Sequence, residues 1–431
     1  MFNRLFKILT SLRLTVVLLC AGLVLVFLGT LAQEPLGLYA AQQRFFRSFF
    51  VDAGSMFAAL HKAADMIMQG FGRSLAPLNP QDVQSAAGFP AFPGGYLVGT
   101  LLLANLLAAH VTRFKFTRKK VGIVLVHAGI VMLLVGQMLT DLLARESYMQ
   151  LSTEGPAKYY SESGLRNELA VIDVTDPGSD QVIAIPESRL QERGEIRDSR
   201  LPFAIRVRQY APNSLPQLLA PMAGQTQKDV QGIGKFIAFA PEPVTARTDA
   251  RNLPAATVEI VAGKETLGTW EVSNWLSEPA LVEEIRQQSG GALGNGLGAP
   301  QEFKHDGRTF RLAMRPVRYY HPFSIQLLHF NHAVYRGTDI PKDFTSRIRL
   351  SNPGTGEDRE VKIYMNNPLR YAGTTFYQGS YDPKDPRVSI LQVVKNPGWL
   401  TPYFSCALVA LGLIVQFLTH LVGFAAKWKH V

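Results

Sequence analysis

Four stretches of this chain carry no Asp, Glu, Lys or Arg: residues 14–32, 96–111 (extendable back to 94), 121–139 and 399–424. A helix rises 1.5 Å per residue, so about 20 such residues cross the roughly 30 Å of bilayer hydrocarbon. Lipid offers the backbone no hydrogen-bond partner, so a spanning segment of this kind must be a helix. Each of the four is therefore read as a transmembrane helix. The first is read as an anchor and not as a removed leader. Its apolar run is too long, and Ala32-Gln33-Glu34-Pro35 is a poor cleavage site.

The net charge of +10 would suit a nucleic-acid partner if it were spread over one face. It is not. Arg4, Lys7, Arg13, Arg113, Lys115, Arg118, Lys119, Lys120, Lys427 and Lys429 lie in three short segments beside the spans. Without those ten, 34 of the 44 Lys and Arg remain, against 34 Asp and Glu. The excess reports membrane sorting, with positive loops on the cytoplasmic side. The expected layout follows: a cytoplasmic N-terminus and first span over 1–32, an outer loop over 33–93, and a second span over 94–111. A basic cytoplasmic loop over 112–120 and a third span over 121–140 come next. An outer domain over 141–398, a fourth span over 399–424 and a cytoplasmic tail over 425–431 complete it. The bilayer is a partner and nucleic acid is not.

Two cysteines occur, Cys20 and Cys406, both inside apolar stretches. With no C-x-x-C, thiol–disulfide exchange by the outer domain is excluded. That domain alternates short apolar–polar runs with turn signals, as in residues 168–173, 181–185, 203–210, 256–262, 309–314, 347–350, 360–365, 374–377 and 388–394. Asn352-Pro353-Gly354 reads as a hairpin connection. The pattern predicts a large antiparallel β-rich domain, sandwich or barrel-like. A helical insert is expected at 281–288, followed by a Gly-rich loop over 289–300. In the first outer loop, residues 40–71 have rough helical spacing, with Phe45, Phe46, Phe49, Phe50, Phe57, Met56, Met66 and Met68. This is either a helix lying in the membrane interface or one packed under the outer domain.

An ionisable side chain within a span is a functional candidate by default. His127 lies roughly 9 Å into the third span and His420 roughly 10 Å into the fourth, at 1.5 Å per residue. Both depths are measured from the same face, so the two imidazoles could share a level. Neutral imidazole in an apolar bundle suits haem iron. The competing reading is a core histidine bonded to a neighbouring oxygen. His110 is shallower and reads as a headgroup contact. His329 and His332 would face opposite sides of a strand, so with His321 they make a poor metal site, and His61 reads as a surface group. No Walker loop, G-x-S-x-G elbow or H-E-x-x-H occurs. Neither a catalytic residue nor a metal site is therefore expected.

Late in the outer domain stands Met365-Asn366-Asn367-Pro368-Leu369-Arg370-Tyr371-Ala372-Gly373-Thr374-Thr375-Phe376-Tyr377-Gln378-Gly379-Ser380-Tyr381. With Tyr320-His321-Pro322-Phe323, Tyr335-Arg336-Gly337-Thr338, Pro341-Lys342-Asp343-Phe344, Lys395-Asn396-Pro397-Gly398, Leu201-Pro202-Phe203 and Val126-His127-Ala128-Gly129, it resembles the ResB (CcsB) family of cytochrome c biogenesis proteins. The resemblance implies a subunit of the System II haem lyase in a bacterial inner membrane. There it would work with a ResC/CcsA-type haem-handling protein on apocytochrome c, with a thioredoxin-like reductant as a further partner. It implies haem b as transient substrate or cofactor, with His127 as axial ligand and His420 as the weaker candidate. The four Trp (Trp270, Trp275, Trp399 and Trp428) form no Trp-rich segment, so the chain looks like the ResB subunit alone and not the fused form, with catalysis needing or residing in the partner. A non-catalytic membrane scaffold and a b-type haem electron carrier are the alternatives. Pro368 and Gly373 are read as turn residues, with Phe376 and Tyr377 in a core.

Overall fold

The computed structural model describes residues 2–76, 78, 88–113, 117, 120–219, 229–244, 251–289, 297, 300–334, 336, 341–382 and 385–428. Residues 114–116, 118–119, most of the Gly-rich 289–300 stretch, Tyr335, 337–340 and Lys429 lie outside the described residues. The chain divides into a helical unit, Met1–Arg145 with Asn396–Val431, and a β domain, Glu146–Thr245 with Ala250–Lys395.

In the helical unit, four helices among the described residues are long and apolar enough to cross a membrane. They are the first span Leu12–Leu31, the second Gly95–Arg113, the third Val121–Leu143 and the fourth Thr401–Trp428. The first and second spans are stapled by the buried Asn105. Its Nδ2 donates to Leu9 O at 2.6 Å, and its Oδ1 accepts from Thr15 Oγ1 at 2.6 Å. Asp141, at the C-terminal end of the third span, binds Arg47 Nε at 2.7 Å and accepts from the Tyr96 hydroxyl.

The helical spacing over residues 40–71 does not become one helix. A π-helical turn, Gln42–Phe46, leads to strand β1 (Phe50–Asp52), which pairs with β2 (Pro90–Pro93). Only then does a helix run over Ala53–Gly70, with Asp52 Oδ1 accepting from the Ser55 amide at 2.8 Å as its N-cap. The break has a steric cause. A Cβ at Gly94 or Gly95 would lie 2.3 Å from the backbone oxygen of Ser48 or Phe46, so the returning chain presses directly on this segment.

Among the described residues, sixteen strands build the β domain. They are β3 (Arg145–Ser152), β4 (Lys158–Asp173), β5 (Gln181–Pro186), β6 (Glu195–Ile196), β7 (Ala204–Ala211), β8 (Ser214–Leu218), β9 (Ile237–Pro241), β10 (Ala255–Ala262), β11 (Glu265–Ser273), β12 (Gln301–His305), β13 (Arg308–Val334), β14 (Pro341–Asn352), β15 (Glu357–Tyr364), β16 (Leu369–Tyr371), β17 (Thr374–Asp382) and β18 (Asp385–Lys395). A ten-stranded sheet runs β15-β14-β13-β4-β3-β18-β17-β16, with β12 on β13 and β5 on β4. A four-stranded sheet runs β11-β10-β7-β6. The helical insert spans Pro279–Gln288.

The 27-residue β13 belongs to two cores. Its first part pairs with the second half of β4, and with β5, β7, β10, β11 and β12 it encloses Trp270, Phe303, Phe310, Leu312 and Val258 as a sandwich. Beyond register shifts at Pro316/Arg318 and Tyr320/Ile325 it pairs with β14. There Ile325, Leu327, Ile348, Leu350, Phe376, Leu391 and Val393 fill a nearly closed barrel. The bulges bend the strand from one core into the other.

The barrel's seam, between β15 and β16, is bridged by reciprocal backbone bonds between Tyr364 and Asn367 and by the Tyr371 hydroxyl. That hydroxyl accepts from Asn352 Nδ2 at 2.9 Å and donates to Glu357 Oε2 at 2.7 Å. Ala372 and Gly373 both take positive φ in the two-residue β16–β17 turn, as a type I′ hairpin requires. Phe376 is in the core as expected, but Tyr377 is exposed, because successive strand residues point to opposite faces.

Glu271, on β11, is buried and accepts from Thr257 Oγ1 at 2.7 Å; burial raises its pKa above the ordinary 4.5, with the hydroxyl pulling the other way. A raised acid binds its proton more tightly folded than unfolded. Its contribution is thus full below about pH 4.5 and is lost as pH rises through the higher folded value. Glu271→Gln is therefore expected to raise the β domain's melting temperature at pH 7.5 and to leave it nearly unchanged at pH 4. Equal shifts at both pH values would contradict this.

Candidate functional site

The third span meets the fourth through glycine. Gly122, Gly129 and Gly136 are all buried, and a Cβ at each would meet Gly412 O at 2.6 Å, Val409 Cγ2 at 2.5 Å and Thr401 Cγ2 at 2.3 Å, in that order. Small residues on this stripe let the two backbones approach closely, the usual way helices associate in lipid. His127 stands two residues before Gly129, about 200° round the helix, so it faces away from the fourth span. Its ring packs edge-to-face on His110 of the second span, with centroids 5.0 Å apart and planes at 87°.

Nδ1 of His127 is buried and has no hydrogen-bond partner among the described residues. A buried imidazole nitrogen without a donor or acceptor opposite it is costly unless something else uses it. It is thus a lone pair or N–H inside an apolar bundle, available to a metal centre or a further polar group. The edge-to-face contact is not that of two ligands on opposite sides of one ion. At bonds of about 2 Å, such a trans pair would hold its ring centres about 6 Å apart, against 5.0 Å here. His110, read from sequence as a headgroup contact, is the neighbour of His127. Its position 17 residues before His127, across a basic loop, gave no sign of this.

His420 is exposed on the fourth span, and its Nε2 lies 2.8 Å from Gln416 Nε2, one turn back. The structure brings His127 to His110 and His420 to Gln416; it does not bring His127 and His420 together. Equal depth says nothing of which side of each helix a residue occupies.

In the β domain, His321 Nε2 lies 3.2 Å from Ser161 Oγ and its ring stacks on Phe323. His332 packs on Tyr381 and Phe344, with centroids at 4.0 and 4.9 Å, and its buried Nε2 has no partner among the described residues. His329 is exposed, and His61 packs beside Phe57. No group of three or more His, Cys, Asp or Glu able to hold a metal occurs among the described residues.

Comparison with known proteins bears on the β domain. Residues 297–390, which run from just before β12 into β18, match the ResB-like family. Over 173 residues, 40% of this chain, the sequence is 37% identical to Protein NrfI of Wolinella succinogenes. The chain spans 19% of that relative's length. The matched family segment holds the second, barrel-forming part of β13, the seam and the Ala372-Gly373 turn, and His127 lies outside it. Through that segment the chain resembles the ResB-like family.

Proposed function

We propose that this chain acts in cytochrome c biogenesis as the ResB-type subunit of a System II haem lyase, with haem as cargo rather than as a resident group. The observation that carries this reading is the family match across the barrel and its seam. His127 supports the haem part. A neutral imidazole with one buried, unengaged nitrogen, set in an apolar helix bundle, is the donor that haem iron takes. The residue holding haem would be His127, with His110 packed against its ring. The second axial position falls to the partner, a ResC/CcsA-type membrane protein.

The charge tally supports a β domain on the periplasmic side of a bacterial inner membrane, with both termini cytoplasmic. There the domain would meet apocytochrome c and a thioredoxin-like reductant. Strand edges offer main-chain groups to an extended segment of apocytochrome. Covalent attachment itself is assigned to the complex. The b-type electron-carrier reading needs two ligands from this chain on one haem, and the geometry of His127 and His420 does not favour it. A non-catalytic scaffold remains the competing assignment.

Co-expression with the partner protein and a reporter apocytochrome tests the proposal. The purified complex is expected to show a haem Soret band, and His127→Ala should remove most of it and reduce covalent haem on the reporter. Imidazole added to a His127→Gly complex should restore part of the band. A His127→Ala complex with an unchanged Soret band would remove the residue from the haem path. Loss of reporter haem with an unchanged Soret band in both variants would favour the scaffold.

A further inference from the structure

The helix Ala53–Gly70 is built inside out. Its inward side buries Gly54, Ser55, Ala58 and Ala59. Its polar groups are engaged: Lys62 Nζ donates to Glu34 at 2.6 Å, Asp65 accepts from the Leu75 amide at 2.9 Å, and Ser55 Oγ accepts from Arg44 at 3.3 Å. Its largest apolar side chains, Met66 apart, point the other way. Phe57, Leu60 and Ile67, with Phe71 just past the end, stand 47, 52, 64 and 78% exposed. With the exposed Ala64 they fall at spacings of three and four, one continuous stripe along one face. Phe49, Phe50 and Phe89, all exposed, lie beside its N-terminal end at the β1–β2 hairpin.

A stripe of this size, with only the His61 ring beside Phe57 at its edge, does not belong in water. Its level in the fold says what covers it. The inward side shares a core cluster with Leu25, Leu28 and Ala32 of the first span. Those residues occupy the last 10 Å or so of a helix about 30 Å long, which itself fills the hydrocarbon. A helix packed there lies beside one leaflet. The first span's own exposed side chains at this level, Val24, Val26 and Phe27, are apolar too.

We propose that Ala53–Gly70 is a lipid-embedded platform whose Phe57–Leu60–Ile67–Phe71 stripe enters the acyl-chain region of the leaflet around the C-terminal half of the first span. Apolar side chains facing acyl tails and polar ones turned to the protein form the arrangement that lipid selects. The proposal is independent of the haem reading.

The test uses the full chain with Cys20→Ser and Cys406→Ser, in vesicles of phosphatidylethanolamine and phosphatidylglycerol. Single Leu60→Cys, Ile67→Cys and Gln69→Cys variants carry a bimane label. Gln69 is exposed on the opposite side of the helix and serves as the water-facing reference. Labels at 60 and 67 are expected to be quenched by acyl-chain doxyl lipids at least about twofold more than the label at 69, and to be shielded from iodide. Iodide quenching at 60 and 67 equal to that at 69 would overturn the proposal. So would shielding from both quenchers, which would mean a protein cover such as a second copy of the chain. Each labelled variant must melt within a few degrees of the unlabelled protein; should Leu60→Cys fail this, Ile67→Cys alone decides.

Discussion

Arg315→Leu is expected to destabilise the β domain by about 3–5 kcal/mol, the cost of leaving one member of a buried ion pair alone. Arg315 and Glu168 sit opposite one another in the β13–β4 register, 3.0 Å apart, and each is 5% exposed. Arg315 also donates to the Tyr320 hydroxyl at 3.3 Å. Removing the guanidinium strands a carboxylate where water cannot reach it. The double variant, with Glu168→Leu added, should recover most of the loss, because neither charge then needs a partner. Unfolding followed by emission of the buried Trp270 and Trp275 measures both. A loss under about 1 kcal/mol for the single variant would mean that the pair is not dry, since exposed pairs are worth no more than that.

The second large effect is expected where the third and fourth spans touch. A Cβ at Gly412 would stand 2.7 Å from Gly122 O and Val126 N, and one at Gly122 would stand 2.6 Å from Gly412 O. These obstacles are backbone atoms, which cannot rotate aside as a side-chain tip can. Gly122→Leu and Gly412→Leu should each cost more than the roughly 1–3 kcal/mol of ordinary overpacking. Both should show as earlier thermal unfolding in detergent. Gly423→Leu, on the same span with nothing within 4 Å, is the control and should melt like the parent. A normal melting point for Gly122→Leu would show that these helices do not pack as described.

Particular residues show what local sequence could carry. Turn chemistry announced Asn352-Pro353-Gly354, and it connects β14 to β15. Gly373 was legible as a turn residue, although Ala372, which shares its positive φ, was not. Tyr320-His321-Pro322 lay outside every expected strand, yet β13 passes through it. The β4 partner tolerates the bulge there, and only pairing across about 160 residues reveals that. Among the histidines, depth in the membrane could be counted from sequence. The direction each faces depends on which side of its helix the neighbours occupy.

The same contrast holds for the whole protein. Hydropathy alone determined that four helices can cross a bilayer, because in lipid an apolar run of that length has no other way to satisfy its backbone. Alternation with turn signals likewise announced an antiparallel β-rich domain. Tertiary structure alone decided that β13 joins a sandwich to a barrel, that His127 meets His110 rather than His420, and that Ala53–Gly70 turns its apolar stripe outward. Those outcomes depend on contacts between residues far apart in the chain, and periodicity records only which residues share a face.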